Sequence, residues 1–220
     1  MSTGKIFRYE GGGIVVTYEA KRCIHARECV HGLPMVFNPD RKPWVDSAAA
    51  PADEIARVIE RCPTGALQYD RRDGGPQEST PPKNAIRIAA DGPLYLHGRL
   101  QVNGADGQPV ARETRAGLCR CGQSALKPFC DGSHTKAGFK DAGTVSNPQV
   151  KTEAGKSGDG VLVVSCVADG PLRVAGDFDL VDSNGAVPAR GNVVSLCRCG
   201  GSGNKPFCDG THKKNGFKAP

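Results

Sequence analysis

CRCGQSALKPFCDGSH occupies residues 119–134 and CRCGGSGNKPFCDGTH residues 197–212, and a shift of 78 residues lays one on the other without a gap. The same shift aligns Asp91-Gly92-Pro93-Leu94 with Asp169-Gly170-Pro171-Leu172, Ala111-Arg112 with Ala189-Arg190, and Gly138-Phe139-Lys140 with Gly216-Phe217-Lys218. Residues 84–140 and 160–220 are therefore two copies of one small unit. RRDGGPQESTPPKN (71–84) and DAGTVSNPQVKTEAGKSG (141–158) have linker composition. Residues 1–75 remain as a third, unrelated module.

Within each copy the apolar residues form short β-rich stretches. These are 86–88, 94–96 and 100–102 in the first, and 161–166, 172–174 and 178–181 in the second, with Gly or Asp-Gly turns between them. They predict small antiparallel strands. In the first module Ile14 to Tyr18 predicts a strand, Ile55, Val58 and Ile59 predict a helix over 53–61 behind an acidic first turn, and Leu67 to Tyr69 predict a closing strand. The expected fold class is α+β: a small α+β domain, then two β-rich units.

Ten cysteines in a chain that reads as unsecreted point to metal or cluster ligands rather than disulfides. Each copy offers three cysteines and a histidine: Cys119, Cys121, Cys130 and His134, then Cys197, Cys199, Cys208 and His212. A zinc knuckle usually separates its paired cysteines by two to four residues, whereas here only Arg120 or Arg198 intervenes. An iron–sulfur centre fits better, one iron on the C-x-C pair and the other on the third cysteine and the histidine.

The motifs resemble the CDGSH iron–sulfur family, whose signature runs C-x-C-x2-(S/T)-x3-P-x-C-D-G-(S/A/T)-H. The matching positions are Cys119, Cys121, Ser124, Pro128, Cys130, Asp131, Gly132, Ser133 and His134, and Cys197, Cys199, Ser202, Pro206, Cys208, Asp209, Gly210, Thr211 and His212. The resemblance implies a 2Fe-2S cluster with Cys3His ligation in each copy, hence two such clusters. It also implies packing about a twofold axis, so that the tandem copies form an intramolecular pseudo-dimer. With a neutral imidazole, two ferric irons, two sulfides and three thiolates sum to about −1, against −2 for four thiolates, which raises the potential and makes the histidine the proton-sensitive ligand.

Other motif residues have roles that follow from their chemistry. Gly132 and Gly210 let backbone amides approach a cluster, Pro128 and Pro206 fix φ before the third cysteine, and Asp131 and Asp209 cap or brace the histidine turn. Lys127, Lys205, Arg120 and Arg198 either offset cluster charge or are ordinary solvated bases. Cys166, opposite Ile88 in the other copy, reads as a core thiol, and His97 as a strand residue.

CIHARECV (23–30) and CPTGAL (62–67) resemble the divergent single-cluster ferredoxin family, with Cys23, Cys29 and Cys62-Pro63 in place and Ala26 at the position of a second cysteine. The resemblance implies a 3Fe-4S cluster on Cys23, Cys29 and Cys62, or a 4Fe-4S cluster with a fourth ligand from His25, His31 or an exogenous group. A vestigial site without metal is the alternative.

Residues 1–70 carry as many acidic as basic residues, so the net charge of +6 lies after residue 70. Lys127, Lys136, Lys140, Lys205, Lys213, Lys214 and Lys218 predict a positive rim that docks an acidic redox partner protein. There is no basic helix or aromatic platform for a nucleic-acid partner. The longest nearly apolar run, 161–168, is far short of the roughly 20 residues that cross a bilayer, and MSTGKIFRYEGGG has no signal-peptide core. A soluble, cytoplasmic monomer without a membrane partner is expected. No nucleophile–base pair or phosphate loop is visible, so the expectation is a one-electron carrier rather than an enzyme. Redox or pH sensing or cluster transfer is the alternative, and a zinc-stabilised interaction module the rival from another class.

Overall fold

The computed structural model describes residues 5–155 and 160–220, so the end of the expected 141–158 linker and the first four residues lie outside the described region. Two compact units emerge, residues 1–79 and 80–220. The architecture is mostly β, 33% strand against 11% helix. The helical part of the expected α+β class is therefore small.

In the first unit β1 (Ile6–Gly11) and β2 (Ile14–Glu19) form a hairpin, and β3 (Leu67–Arg71) adds to β2, giving an antiparallel sheet of order β1-β2-β3. Helix α1 (Glu28–Gly32) carries Cys29, and α2 (Ala52–Ile59) has Asp53 and Glu54 in its first turn, where they suit the helix dipole. The helical spacing predicted around Ile55, Val58 and Ile59 puts all three in the core with Ile14, Val16, Phe37 and Leu67. Trp44 meets Tyr18 edge to face, with ring centroids 4.8 Å apart, and packs against that core.

In the second unit each repeat is a three-stranded antiparallel meander. The first comprises β4 (Ala85–Ile88), β5 (Leu94–Asn103) and β6 (Pro109–Leu118); the second β7 (Val161–Cys166), β8 (Leu172–Val181) and β9 (Ala189–Leu196). The two meanders share one six-stranded sheet, because β4 also pairs β8 in parallel and β7 pairs β5 in parallel. Ala85 meets Asp179 while Gln101 meets Val163, which are the same pairing with the repeats exchanged. One continuous core follows, from Ile86, Leu94 and Val102 to Leu162, Val174 and Leu196.

Two expectations about local structure change here. The paired stretches 94–96 and 100–102 are one strand, as are 172–174 and 178–181, since Gly98 and Gly176 mark register shifts rather than turns. A Cβ at Gly176 would lie 2.2 Å from the Val161 carbonyl oxygen, so this glycine admits the neighbouring strand. The described part of the 141–158 stretch is also tied down: Lys151 bridges Val193, and Glu153 and Asn192 exchange two hydrogen bonds of 2.9 Å.

Candidate metal centres

Each repeat ends its last strand at the first cysteine of the motif and turns back on itself. The Cys119 amide donates to the Pro128 carbonyl (2.8 Å) and the Cys130 amide to the Gly117 carbonyl (2.8 Å). The second repeat has the same clasp, Cys197 to Pro206 at 2.7 Å and Cys208 to Ser195 at 2.9 Å. Asp131 accepts from the Ser133 and Ala125 amides, and Asp209 from those of Thr211 and Gly203, so each aspartate braces the histidine turn against the preceding loop. Ser124 and Ser202 hydroxyls donate to the Phe129 and Phe207 carbonyls.

These clasps bring the eight expected donors together as pairs. Cys119 and Cys121 sulfurs are 3.8 Å apart, and Cys130 Sγ lies 3.4 Å from His134 Nδ1. In the second repeat Cys197 and Cys199 are again 3.8 Å apart, and Cys208 and His212 again 3.4 Å. Among the described residues no three His, Cys, Asp or Glu side chains close on one point as a single ion would need. Amides face the sulfurs as well: Gln123 N–H points at Cys121 and Gly132 N–H at Cys130.

The thiols are electrostatically uneven. The hydrogen bond that Cys119 and Cys121 share pushes the Cys119 thiol well up and holds Cys121 down to about 7. Burial raises Cys130 to about 12 and Cys197 to about 11, and it lowers the basicity of His134. The raised thiols, Cys119, Cys130 and Cys197, would lose their protons most readily to a cation that replaces them.

The residues between the paired cysteines are not solvated. Arg120 and Arg198 are each only 1% exposed, among the largest fully buried side chains, which removes the surface reading for both. Arg120 donates to the carbonyls of Gly92 (3.0 Å) and Ala89 (2.5 Å) and to the Asp141 carboxylate, while its guanidinium lies 5.1 Å from the Phe139 ring centroid. Arg198 donates to Gly170, Val167 and Pro220 carbonyls at 3.0, 2.6 and 2.8 Å. Each arginine therefore ties its C-x-C turn to the loop after the repeat's first strand and to the segment beyond the histidine. The signal was the repetition of one arginine at one place, and charge alone concealed it.

The two motif loops meet. A Cβ on Gly122 would lie 2.6 Å from the Cys199 carbonyl oxygen, and one on Gly200 would lie 2.4 Å from the Cys121 carbonyl oxygen, with φ of +80° and +77°. Of the seven lysines expected at a rim, Lys140 and Lys218 pair with Asp91 and Asp169, and Lys127 and Lys205 donate to Ser124 and Ser202 carbonyls. Lys136, Lys213 and Lys214 are exposed. Cys166 is buried in the core and His97 lies exposed on β5, as read from the sequence.

In the first unit Cys23, Cys29 and Cys62 line a single cavity with Ala26, Tyr18, Trp44 and Pro63. Arg22 holds its entrance segments together by donating to the Thr64 carbonyl at 2.6 Å. His25 and Arg27, on either side of Ala26, have φ of +58° and +64°, a left-handed conformation that costs a non-glycine residue roughly 1–3 kcal/mol. Burial raises Cys29 to about 11, and burial and a hydrogen bond with Cys23 raise the Tyr18 phenol. His31 lines neither this cavity nor the larger cleft beside it.

Small cysteine-rich units whose sulfurs and imidazoles pair on tight turns, or line one cavity, define a class of protein suited to metal centres. A family profile described as "Divergent 4Fe-4S mono-cluster" matches residues 9–72, and one described as "Iron-binding zinc finger CDGSH type" matches residues 91–135 and again 169–213. The protein named "Uncharacterized protein YjdI" from Escherichia coli K12 is 38% identical over 61 residues, 28% of this chain and 80% of that one, and its counterpart from strain O157:H7 matches equally. No solved structure matches. The chain belongs to the iron–sulfur families that these profiles define, with a divergent single-cluster domain ahead of tandem CDGSH domains. No helix among the described residues is long and apolar enough to cross a membrane.

Proposed function

We propose that the chain is a one-electron carrier with three centres, one in each of the segments 1–75, 84–140 and 160–220. Cys119, Cys121, Cys130 and His134 would hold one 2Fe-2S cluster, and Cys197, Cys199, Cys208 and His212 a second. Cys23, Cys29 and Cys62 would hold a 3Fe-4S cluster, or a 4Fe-4S cluster completed from outside the three. The observation that carries this reading is the arrangement of the repeat donors in two pairs, with the same 3.8 and 3.4 Å separations in both copies. Two pairs suit two irons, whereas a zinc centre gathers four donors on one ion.

Bound clusters supply a reversible one-electron couple. The chain's own contribution is to exclude water, to aim amides at the sulfurs, and to place a buried guanidinium behind each C-x-C turn. Reciprocal strand pairing and the reciprocal Gly122 and Gly200 contacts support a pseudo-twofold relation between the repeats. Of the seven rim lysines, Lys136, Lys213 and Lys214 are exposed and unpaired among the described residues and would meet an acidic partner protein, so docking should weaken as salt rises. Iron, sulfide and zinc analysis of anaerobically purified protein, followed by EPR-monitored potentiometry, tests the reading. Reversible signals from three centres are expected. Colourless zinc-loaded protein would overturn it, and irreversible bleaching on reduction would replace electron transfer by cluster transfer or sensing.

A further inference from the structure

A cleft of about 770 Å³ opens beside the three-cysteine cavity of the first unit. That is the size range of sites for small organic ligands. Tyr9, Tyr18 and Trp44 line it as an aromatic cluster, Trp44 meeting both tyrosines edge to face with ring centroids 6.4 and 4.8 Å away. Three cations line it and no Asp or Glu does. Arg41 is engaged, donating to the Val36 and Pro43 carbonyls and facing Asp46 at 3.5 Å. Arg27 and Lys42 are exposed and have no ion pair among the described residues. Arg27, which lines the cleft, is also one of the two residues flanking Ala26 whose φ is positive.

We propose that this cleft binds a planar aromatic compound bearing a carboxylate or phosphate, the ring against Tyr9, Tyr18 and Trp44 and the anion between Arg27 and Lys42. Ring stacking uses the aromatic cluster, and the anion meets charge-assisted donors that have no ion-pair partner among the described residues. Cys23 and Cys29 line the same cleft, so a bound ring would lie against the candidate first centre. The proposal goes beyond electron transfer and does not require a cluster.

Trp44 is the only tryptophan, so its fluorescence reports this cleft. The full chain, both metal-free and after cluster reconstitution, would be titrated with flavin mononucleotide and 2-naphthoate, with affinities checked by calorimetry. Riboflavin and 2-naphthylmethanol serve as the uncharged counterparts. Saturable binding is expected for at least one anion, roughly tenfold or more tighter than for its neutral counterpart, and R27Q/K42Q should remove that preference. The phosphate and carboxylate arms tell which anion is preferred. No saturable binding by either anion up to about 1 mM, equal binding of the neutral compounds, or an unchanged R27Q/K42Q variant would each overturn the proposal. Loss of clusters with binding retained would count against the electron-carrier reading alone.

Discussion

Replacing Arg120 by alanine tests whether a buried cation braces the first motif. The side chain is fully buried and donates to two backbone carbonyls and one carboxylate, partners 28, 31 and 21 residues away in sequence. A hydrogen bond to a charged group contributes about 1.5–3 kcal/mol, and desolvating the guanidinium offsets part of that sum. Removing one member of a buried ion pair costs about 3–5 kcal/mol, because its partners stay buried without it. Asp141 is partly open to water at 18% exposure and can rehydrate, but the Ala89 and Gly92 carbonyls lose their only guanidinium. We therefore expect R120A to lose about 3–5 kcal/mol, which at a urea slope of about 1–3 kcal/mol per M lowers the midpoint by roughly 1–5 M. R120K should fall between, since one ammonium cannot serve three divergent acceptors. Urea unfolding followed by far-UV circular dichroism reads the change. A loss below about 0.5 kcal/mol would match an ordinary surface substitution and refute the bracing role.

Four further outcomes are expected. G122A and G200A each push a Cβ into the other repeat's backbone, so each should lower iron content in both repeats and the unfolding midpoint, whereas G107A, open to solvent, should not affect iron content. C130S should remove about half of the iron held by residues 84–220 and leave the Cys197 set loaded; loss of both centres together would exclude independent sites. Tyr18→Phe removes the phenol that shares the cavity with Cys23 and should lower the first centre's potential, about 40 mV for each kcal/mol of differential stabilisation lost, as read by potentiometry. Asp91 and Asp169 are depressed by Lys140 and Lys218, so their stabilisation is complete above the ordinary carboxylate range of about 4 and is lost as pH falls through the depressed folded values; D91N/D169N should flatten acid unfolding there.

Much of the site was legible because its chemistry needs fixed residue types at fixed spacing. The donors of both repeats, the helix around Ile55 and the strand from Ile14 were read from pattern alone. Strands β6 and β9 were not, since PVARETRAGL and ARGNVVSL mix charge, glycine and small residues without a clean alternation. They are held by pairing with β5 and β8, a tertiary effect that local propensity does not carry. Gly98 and Gly176 looked like turns because a glycine admitting another strand and a glycine reversing the chain are the same letter. The aromatic cleft escaped notice for a related reason: Trp44 is distant in sequence from Tyr9 and Tyr18 and meets their rings only after the β1–β2 hairpin and the 33–45 loop have folded.

The exchanged strand pairing bears on why the motif is present twice in one chain. Strand β4 hydrogen-bonds to β5 of its own repeat and to β8 of the other, and β7 does the reverse with β8 and β5. Asn84 reinforces the seam, donating to Gly160 and Asp177 carbonyls across 76 and 93 residues and accepting from the Arg99 amide. A repeat without its partner would expose one side of β4 and half of β5 as open edges, a state that recruits other strands. Covalent linkage supplies the partner at high effective concentration and in fixed register. It also lets the copies diverge: Arg120 meets the Asp141 side chain where Arg198 meets the Pro220 main chain, and Cys166 stands where the first repeat has Ile88. Two sites bound by one sheet thus keep the same donor geometry while the groups behind them differ, a freedom that two identical chains in a symmetric pair do not have.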